Sequence, residues 1–341
     1  MSIPVFKPSI KRREMNAVLN CLVSEEIGPG KENAAFSKEM AQYFSCSSGM
    51  LLKEYTRSIE LALTALGVGE GSEVILTPLE HRCYLSVIQV LGATPVFVDV
   101  EEDSVTISPG EAEKHITENT ACIIASTHLG FVPDLDSLVE LNCPILEDVS
   151  EGFGANTGSQ VVGSYGRIVI HRFTPDAILS CGSGCGIFAK KRKEGSLVKK
   201  LISEAGDDIL LPDMNAVMGP IQLKDAEKNL ERRKEIAQVF LSALFKSHHK
   251  AISQKRDAEN TCYFFPVVVK HGMKDVIQYA AKKQVQAVPA FANSIIAFHD
   301  NDEFECPFAF QISSRCLLFP LYPLIGKKGI SQIEKVLSTL P

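Results

Sequence analysis

The sequence of 341 residues lacks any apolar stretch long enough to cross a membrane as a helix, which would need roughly 18 consecutive apolar residues. Its first residues also lack the basic start, long apolar segment and small-residue cleavage site that together mark a secretion signal. No internal repeat and no low-complexity segment is present. We therefore expect a cytoplasmic protein without a membrane span.

The ten cysteines show no pairing rhythm along the chain. Without a secretion signal they are expected to be reduced thiols, several of them packed as small hydrophobic residues. Only Cys181 and Cys185 lie close together in a predicted loop, and no second pair or histidine follows at a zinc-like spacing. The pattern therefore predicts no metal site.

Clusters of positive charge are absent as well. The chain has 35 Lys and Arg against 41 Asp and Glu, a net charge of −6. Scattered positive charge argues against nucleic-acid binding, although a small anionic ligand in a local pocket remains possible. The length suggests two domains, and a hydrophobic content of 45% is enough for a large core.

Helical and strand patterns alternate through the first half of the chain. Apolar spacing predicts three helices before residue 67 and then strands and helices in turn. The predicted helices cover 10–23, 32–43, 57–66, 84–91, 111–116 and 135–141, and the predicted strands 73–76, 95–98, 121–125 and 145–147. This order indicates βαβ units and a parallel sheet covered on both faces.

The pattern changes after Lys191. Helices are predicted over 197–205, 215–246, 273–283 and 330–340, and strands over 263–269 and 316–319. We expect a smaller α+β second domain, hinged on the long helix 215–246, which is charged on one face.

A glycine-rich turn lies between two further apolar strands, 168–170 and 187–189. Gly182, Gly184 and Gly186 form the turn, and a strand followed by such a turn can present its backbone to a ligand. Twenty residues upstream, Asp148 follows strand 145–147. Taken alone, this aspartate is most simply interpreted as a cap for the next helix.

Seven motifs occur together in the order and spacing of one protein family. They are IPVFKPSI, LALTALGVGEGSEVILTP, LGATPVFVDVEED, HLGFVPDLDSL, LEDVSEGFGA, NAVMGPIQLKDAEKNLERRKEIA and SRCLLFPLYPLI. Through them the chain resembles, nearly end to end, the DegT/StrS sugar aminotransferases, which are pyridoxal-phosphate (PLP) enzymes.

The resemblance implies an α/β fold, the PLP-dependent transferase fold type I. A large domain with a mainly parallel seven-stranded sheet would span residues 1–235, and a small α+β domain residues 236–341. The N-terminal segment would pack toward the small domain. The resemblance also implies a homodimer in which the partner subunit completes each site.

The chemistry of this family needs a lysine that forms a Schiff base with PLP and a carboxylate that pairs with the pyridine nitrogen. The resemblance places Asp148 at the carboxylate position. It places Ala177 at the lysine position, or Ile178 if the loop is one residue shorter. No lysine lies between residues 168 and 189, and Lys190 and Lys191 follow the next predicted strand, where we expect solvated charges. Covalently bound PLP is therefore not expected.

Most other positions that would contact PLP also differ from the family pattern. In the phosphate turn Thr56 still fits, but Glu54 and Tyr55 do not. The further changes are Arg172 at a phosphate serine, Arg82 at the stacking aromatic, Glu151 at the donor to the ring hydroxyl, and Asp208 at the partner subunit's asparagine. So many changes in one pocket indicate a site released from its original chemistry.

Three functions remain open from the sequence. The chain could be a repurposed or silent homologue with a cleft for an anionic small molecule, linked to nucleotide-sugar or cell-surface polysaccharide metabolism. It could be an active enzyme that holds PLP or pyridoxamine phosphate non-covalently. It could also be a regulatory partner of an active paralogue. In the cleft, Arg82 and Arg172 would either clamp an anion or pair with neighbouring acids.

Overall fold

A seven-stranded sheet forms the centre of the larger part of the chain. The computed structural model describes residues 2–158, 160–255, 257–270, 272–299 and 304–341. The strands are β1 Ser48–Leu52, β2 Glu73–Leu76, β3 Thr94–Phe97, β4 Thr120–Ser126, β5 Ile145–Asp148, β6 Ile168–Arg172 and β7 Cys185–Ala189. Their order across the sheet is β1-β7-β6-β5-β4-β2-β3, and only β7 runs antiparallel to its neighbours.

Both faces of this sheet are buried, because successive residues of a strand point to opposite sides. On β2, Ile75 joins one apolar cluster, while Val74 and Leu76 join the other. Ile145 and Leu146 on β5 divide in the same way. The continuous apolar strands of the sequence are therefore explained by layers of helices on both sides, and the predicted α/β fold class is confirmed.

Helices cover the two faces. They are α1 Arg12–Val23, α2 Lys31–Tyr43, α3 Tyr55–Ala65, α4 Cys83–Val90, α5 Pro109–His115, α6 Leu135–Glu140, α7 Arg192–Ala205, α8 Asp213–Ala216 and α9 Gly219–Leu244. Helices α3, α4 and α7 pack in the cluster with Val74, and α2, α5, α6 and α9 in the cluster with Ile75. In the described part of the chain, no helix is long and apolar enough to span a bilayer.

In the larger part of the chain, the structure differs from the sequence prediction most clearly at one helix and one strand. The sequence analysis predicts one helix over 215–246, whereas α8 ends at Ala216 and α9 begins at Gly219. Pro220 explains the break, since proline lacks the N–H that a helix interior uses and is tolerated in the first turn. Strand β1 was not predicted, although it forms one edge of the sheet.

A second sheet lies in the C-terminal part of the chain. Its strands are β8 Lys250–Ala251, β9 Phe265–Val268, β10 Val288–Pro289 and β11 Cys316–Phe319, antiparallel in the order β10-β11-β9-β8. Helices α10 Met273–Lys282, α11 Pro307–Ser313 and α12 Lys327–Leu337 complete this region. The α9 helix runs unbroken across residue 235, where we predict the domain boundary. Near the N-terminus, Ile3 pairs with Val285.

Asp213 links the segment before α9 to the start of α2. Its buried carboxylate accepts hydrogen bonds from the backbone N–H groups of Gly30 at 2.9 Å, Glu32 at 3.0 Å and Asn33 at 2.8 Å. Backbone donors in the first turn of a helix have no partner within the helix. A carboxylate from a distant segment therefore caps α2.

Candidate functional site

A cavity of about 360 Å³ opens at the carboxyl ends of β2, β4 and β5. This is the edge of a parallel sheet at which ligands generally bind. The polar side chains on its wall are Tyr55, Glu80, His81, Ser126, Thr127, His128, Asp148, Ser150, Glu151, Arg172, Asp176, Asn293 and Ser294. Its volume falls in the range of small-molecule sites.

Asp148 is the last residue of β5 and lines the cavity. Its Oδ2 accepts hydrogen bonds from the hydroxyl of Tyr55 and, at 2.7 Å, from that of Tyr84, while its Oδ1 accepts the N–H of Ser150 at 2.9 Å. Burial alone would raise the pKa of Asp148, but the charge of Arg172 and these hydrogen bonds outweigh it and lower the pKa. Asp148 is therefore an ionised carboxylate that accepts three hydrogen bonds from the protein.

Tyr55 reaches into the cavity from the first turn of α3. The guanidinium carbon of Arg172 lies 4.9 Å from the centre of its ring, and the ring of His81 meets it edge-on at 5.9 Å. Burial and the charge of Asp148 raise the pKa of Tyr55 well above its usual value. The hydroxyl therefore stays protonated and acts as a donor.

Arg172 forms an ion pair with Glu151 on the cavity wall. Its Nη2 lies 3.4 Å from Oε1 of Glu151, and Oε2 of Glu151 accepts the N–H of Leu129 at 2.6 Å. Burial raises the pKa of Glu151, opposed by the charge of Arg172. The sequence analysis left two alternatives for Arg172, binding an anion or pairing with a neighbouring acid, and in the structure it pairs with an acid.

Glu80 and His128 form a second polar pair, which the sequence analysis missed. Oε1 of Glu80 lies 3.2 Å from Nε2 of His128, and Oε2 accepts the hydroxyl of Ser126 at 2.6 Å. Burial works against a charge on His128, but the charge of Glu80 and its hydrogen bond raise the pKa of the imidazole. The signal was available, since both residues follow predicted strands on the edge where parallel strands end.

From the loop between β6 and β7, Asp176 lines the cavity, whereas the glycines of this loop do not. Oδ2 of Asp176 accepts the hydroxyl of Tyr263 at 2.8 Å, and the aspartate lines the cavity. The next residue, Ala177, is buried with 8% of its surface exposed. Gly184 is buried, and a Cβ on it would lie 2.7 Å from Leu211, whereas Gly182 is exposed. None of the three glycines of the turn is among the described residues that line the cavity.

Four predicted site residues meet in the cavity, namely Tyr55, Asp148, Glu151 and Arg172. Three others lie elsewhere. Thr56 is exposed on α3, and Asp208 is exposed in a 3₁₀ helix, Asp207–Ile209. The guanidinium of Arg82 lies 4.6 Å from the centre of the Phe298 ring, while its neighbour His81 lines the cavity.

The sequence analysis predicts a solvated charge at Lys190, but the structure shows this lysine only partly exposed. It is half-buried, and its Nζ donates to the backbone oxygen of Ser164 at 2.6 Å. Lys191 is exposed. Among the described residues that line the cavity, none is a lysine.

The described residues hold no group of three or more His, Cys, Asp or Glu side chains placed to bind a metal ion. Cys181 and Cys185, the close pair of the sequence, are both buried free thiols. Burial raises the pKa of each, which disfavours the thiolate form that a metal would need.

The side chains around Asp148 do not fit PLP in the manner that the resemblance implies. A pyridinium nitrogen would need a carboxylate oxygen of Asp148, whose Oδ2 already accepts two tyrosine hydroxyls and whose Oδ1 accepts the N–H of Ser150. The ring of Tyr55 lies beside that oxygen, between Arg172 and His81. A Schiff base would also need an amine on the cavity wall, and the described lining provides no lysine.

Comparison with known proteins identifies close structural relatives. A model of the DegT/DnrJ/EryC1/StrS aminotransferase family matches residues 8–338. GDP-perosamine synthase of Escherichia coli O157:H7 is 24% identical over 97% of this chain and 96% of that protein. Among the similar solved structures are an aminotransferase from Psychrobacter cryohalolentis, with a TM-score of 0.90 and 24% identity over 97% of each chain, and DesV of S. venezuelae in complex with a ketimine intermediate, with a TM-score of 0.90 and 21% identity over 99% of this chain and 98% of that one.

Proposed function

Since the chain belongs to the DegT/DnrJ/EryC1/StrS aminotransferase family, we propose that it is a member that does not transaminate and that binds a small molecule non-covalently in its cavity. One observation carries the proposal: the described cavity wall contains Asp148 but no lysine. Transamination on PLP requires an amine for the Schiff base and for proton transfer. The proposal is thus supported by a described cavity wall that keeps a carboxylate without a lysine amine beside it.

The ligand that we propose is a nucleotide sugar or a related sugar. Support comes from the family and from the relative named GDP-perosamine synthase. The cavity wall carries four carboxylates, those of Glu80, Asp148, Glu151 and Asp176, and carboxylates accept hydrogen bonds from hydroxyl groups. Because Arg172 already pairs with Glu151, we expect the sugar inside the cavity and the phosphates near its mouth.

The parent protein is expected to form no internal aldimine with PLP. The experiment is incubation with PLP, reduction with borohydride and peptide mapping, together with an absorbance spectrum of the purified protein. We expect no yellow aldimine and only scattered labelling of exposed lysines. Stoichiometric labelling of a single lysine would show that the site still carries an amine, and the proposed function would be wrong.

We also propose that the chain forms a dimer through the face of α1. Apolar side chains that remain exposed on this helix and just after it are Met15, Leu19, Leu22, Val23 and Ile27. Large exposed apolar patches mark interfaces. The resemblance implies that Asp208, which is exposed, approaches the site of the partner subunit in such a dimer.

Light scattering at micromolar concentration is expected to give twice the chain mass, because an obligate interface of this kind buries on the order of 2,000 Å² or more. Replacing Leu19 with glutamate should shift the protein toward monomer, while the same change at the exposed Val90 on α4 should not. A parent monomer at these concentrations would exclude the homodimer and favour a different partner chain.

A further inference from the structure

We propose that the side chain of Tyr55 takes the place of the cofactor ring and is itself a barrier to PLP, in addition to the missing lysine. The inference rests on the proposed function and extends it to the cause of cofactor loss. A missing lysine removes only the covalent bond, and a cleft of the right shape could still hold the cofactor by its phosphate and ring. Tyr55 removes that possibility as well.

The position of Tyr55 carries this inference. Its main chain forms the first residue of α3, after the N-cap Glu54, and its hydroxyl donates to Oδ2 of Asp148. The side chain therefore spans the path from the start of α3 to Asp148. The resemblance assigns the phosphate to the first end of this path and the pyridine nitrogen to the second. A cofactor bound in that way and the Tyr55 ring would occupy the same space.

The ring of Tyr55 is held on several sides. Arg172 lies over it at 4.9 Å, and His81 and Tyr84 meet it edge-on at 5.9 and 6.0 Å. Its hydroxyl bonds to an ionised carboxylate, and hydrogen bonds to ionised groups are stronger than those between neutral groups. Moving the ring aside would break these contacts, so the position with the Tyr55 hydroxyl bonded to Asp148 is the stable one.

The start of α3 adds an electrostatic obstacle. Helix N-termini bind phosphates through free N–H groups and a partial positive charge. Here the N-cap residue is Glu54, whose side chain makes no capping hydrogen bond. Its negative charge opposes a phosphate at the position where the helix would otherwise attract one.

Binding of pyridoxamine phosphate to matched variants tests the inference. This probe carries an amine in place of the aldehyde and cannot form Schiff bases with surface lysines. Tyr55→Gly removes the ring, and Tyr55→Phe keeps the ring while removing the hydroxyl. We expect Tyr55→Gly to bind the probe about 10- to 100-fold more tightly than the parent, since in the parent the Tyr55 ring fills the place of the probe's ring and must first be displaced. Tyr55→Phe should bind almost as weakly as the parent.

Two further variants identify the place of binding. Adding Asp148→Asn to Tyr55→Gly should abolish the gained affinity, because the pyridinium would lose its charged partner. Adding Ala177→Lys to Tyr55→Gly should produce an aldimine absorbance with PLP, whereas Ala177→Lys alone should not. Thermal melting confirms that each variant folds, and Tyr55→Ala replaces Tyr55→Gly if glycine at the start of α3 lowers the melting temperature.

Equal affinity of the parent and Tyr55→Gly for pyridoxamine phosphate would overturn the inference, whether both bind tightly or neither binds. An aldimine in Ala177→Lys with Tyr55 intact would overturn it too. These outcomes differ from the failure of the proposed function, which is a single labelled lysine in the parent protein.

Discussion

Replacing Asp148 with alanine is expected to lower the free energy of unfolding by about 3–5 kcal/mol. The buried carboxylate accepts the hydroxyls of Tyr55 and Tyr84 and the N–H of Ser150. Alanine would leave these donors without their acceptor and would remove a negative charge near Arg172. Chemical denaturation of parent and variant at neutral pH measures the difference.

The matched control is Asp225→Ala. Asp225 also carries partners, Lys11 at 2.9 Å and Arg13 at 2.6 Å, but both cations are exposed. Exposed ion pairs contribute about 1 kcal/mol or less. If Asp148→Ala lowers the free energy of unfolding no more than this control, the hydrogen bonds to Asp148 contribute little to stability. The hydrogen bond from Tyr55 would then not be strong enough to hold its ring in the cavity.

The pH dependence of the free energy of unfolding should also show the contribution of ionised Asp148. The pKa of Asp148 is lowered in the folded state from an ordinary value of 3.8. Its contribution is therefore fully present above the unfolded pKa and is lost as the pH falls through the folded pKa. The acid side of the stability profile, below about pH 4, should be flatter for Asp148→Asn than for the parent. Identical slopes would show that Asp148 does not titrate with folding.

Replacing Asp213 with alanine is expected to cost about 3 kcal/mol or more, because loss of a helix cap costs about 1 kcal/mol and each buried donor left unpaired adds about 1–3 kcal/mol. Three backbone N–H groups at the start of α2 lose their acceptor in this variant. We also expect faster hydrogen exchange at Glu32 and Asn33, which exchange measured by mass spectrometry would detect.

Asp207→Ala provides the comparison for this prediction. Asp207 is an exposed carboxylate in the neighbouring 3₁₀ helix, and substitutions at such sites usually change stability by about 0.5 kcal/mol or less. A similar small loss for Asp213→Ala would mean that water replaces the carboxylate at the α2 terminus without cost.

The buried parallel strands of the large sheet could be predicted from the sequence, because strands buried on both faces appear as continuous apolar runs, as in Val74 to Leu76. The sequence was not sufficient for β1, whose residues Ser48–Leu52 include glycine and only a short apolar end. Its place is determined by pairing with the distant strand β7. Tertiary pairing of this kind leaves no periodic pattern in the local sequence.

The site shows a second limit of sequence reasoning. Asp148 was assigned to the site by the family resemblance, whereas the Glu80–His128 pair joins residues that follow two strands far apart in sequence. Arg82 and His81 are neighbours at the start of α4, yet His81 lines the cavity and Arg82 lies over Phe298. Adjacent residues can therefore face different surroundings, and the local sequence does not distinguish them.

Because a side chain of the protein fills the cleft, the stability of the fold does not depend on how much cofactor is available. An enzyme that binds a cofactor only when folded gains stability by mass action, and this gain falls when the cofactor is scarce. Tyr55 is part of the chain, so its local concentration at Asp148 is fixed by folding itself. The abundance of such a protein in a cell should not follow the availability of vitamin B6, as that of its cofactor-dependent relatives would.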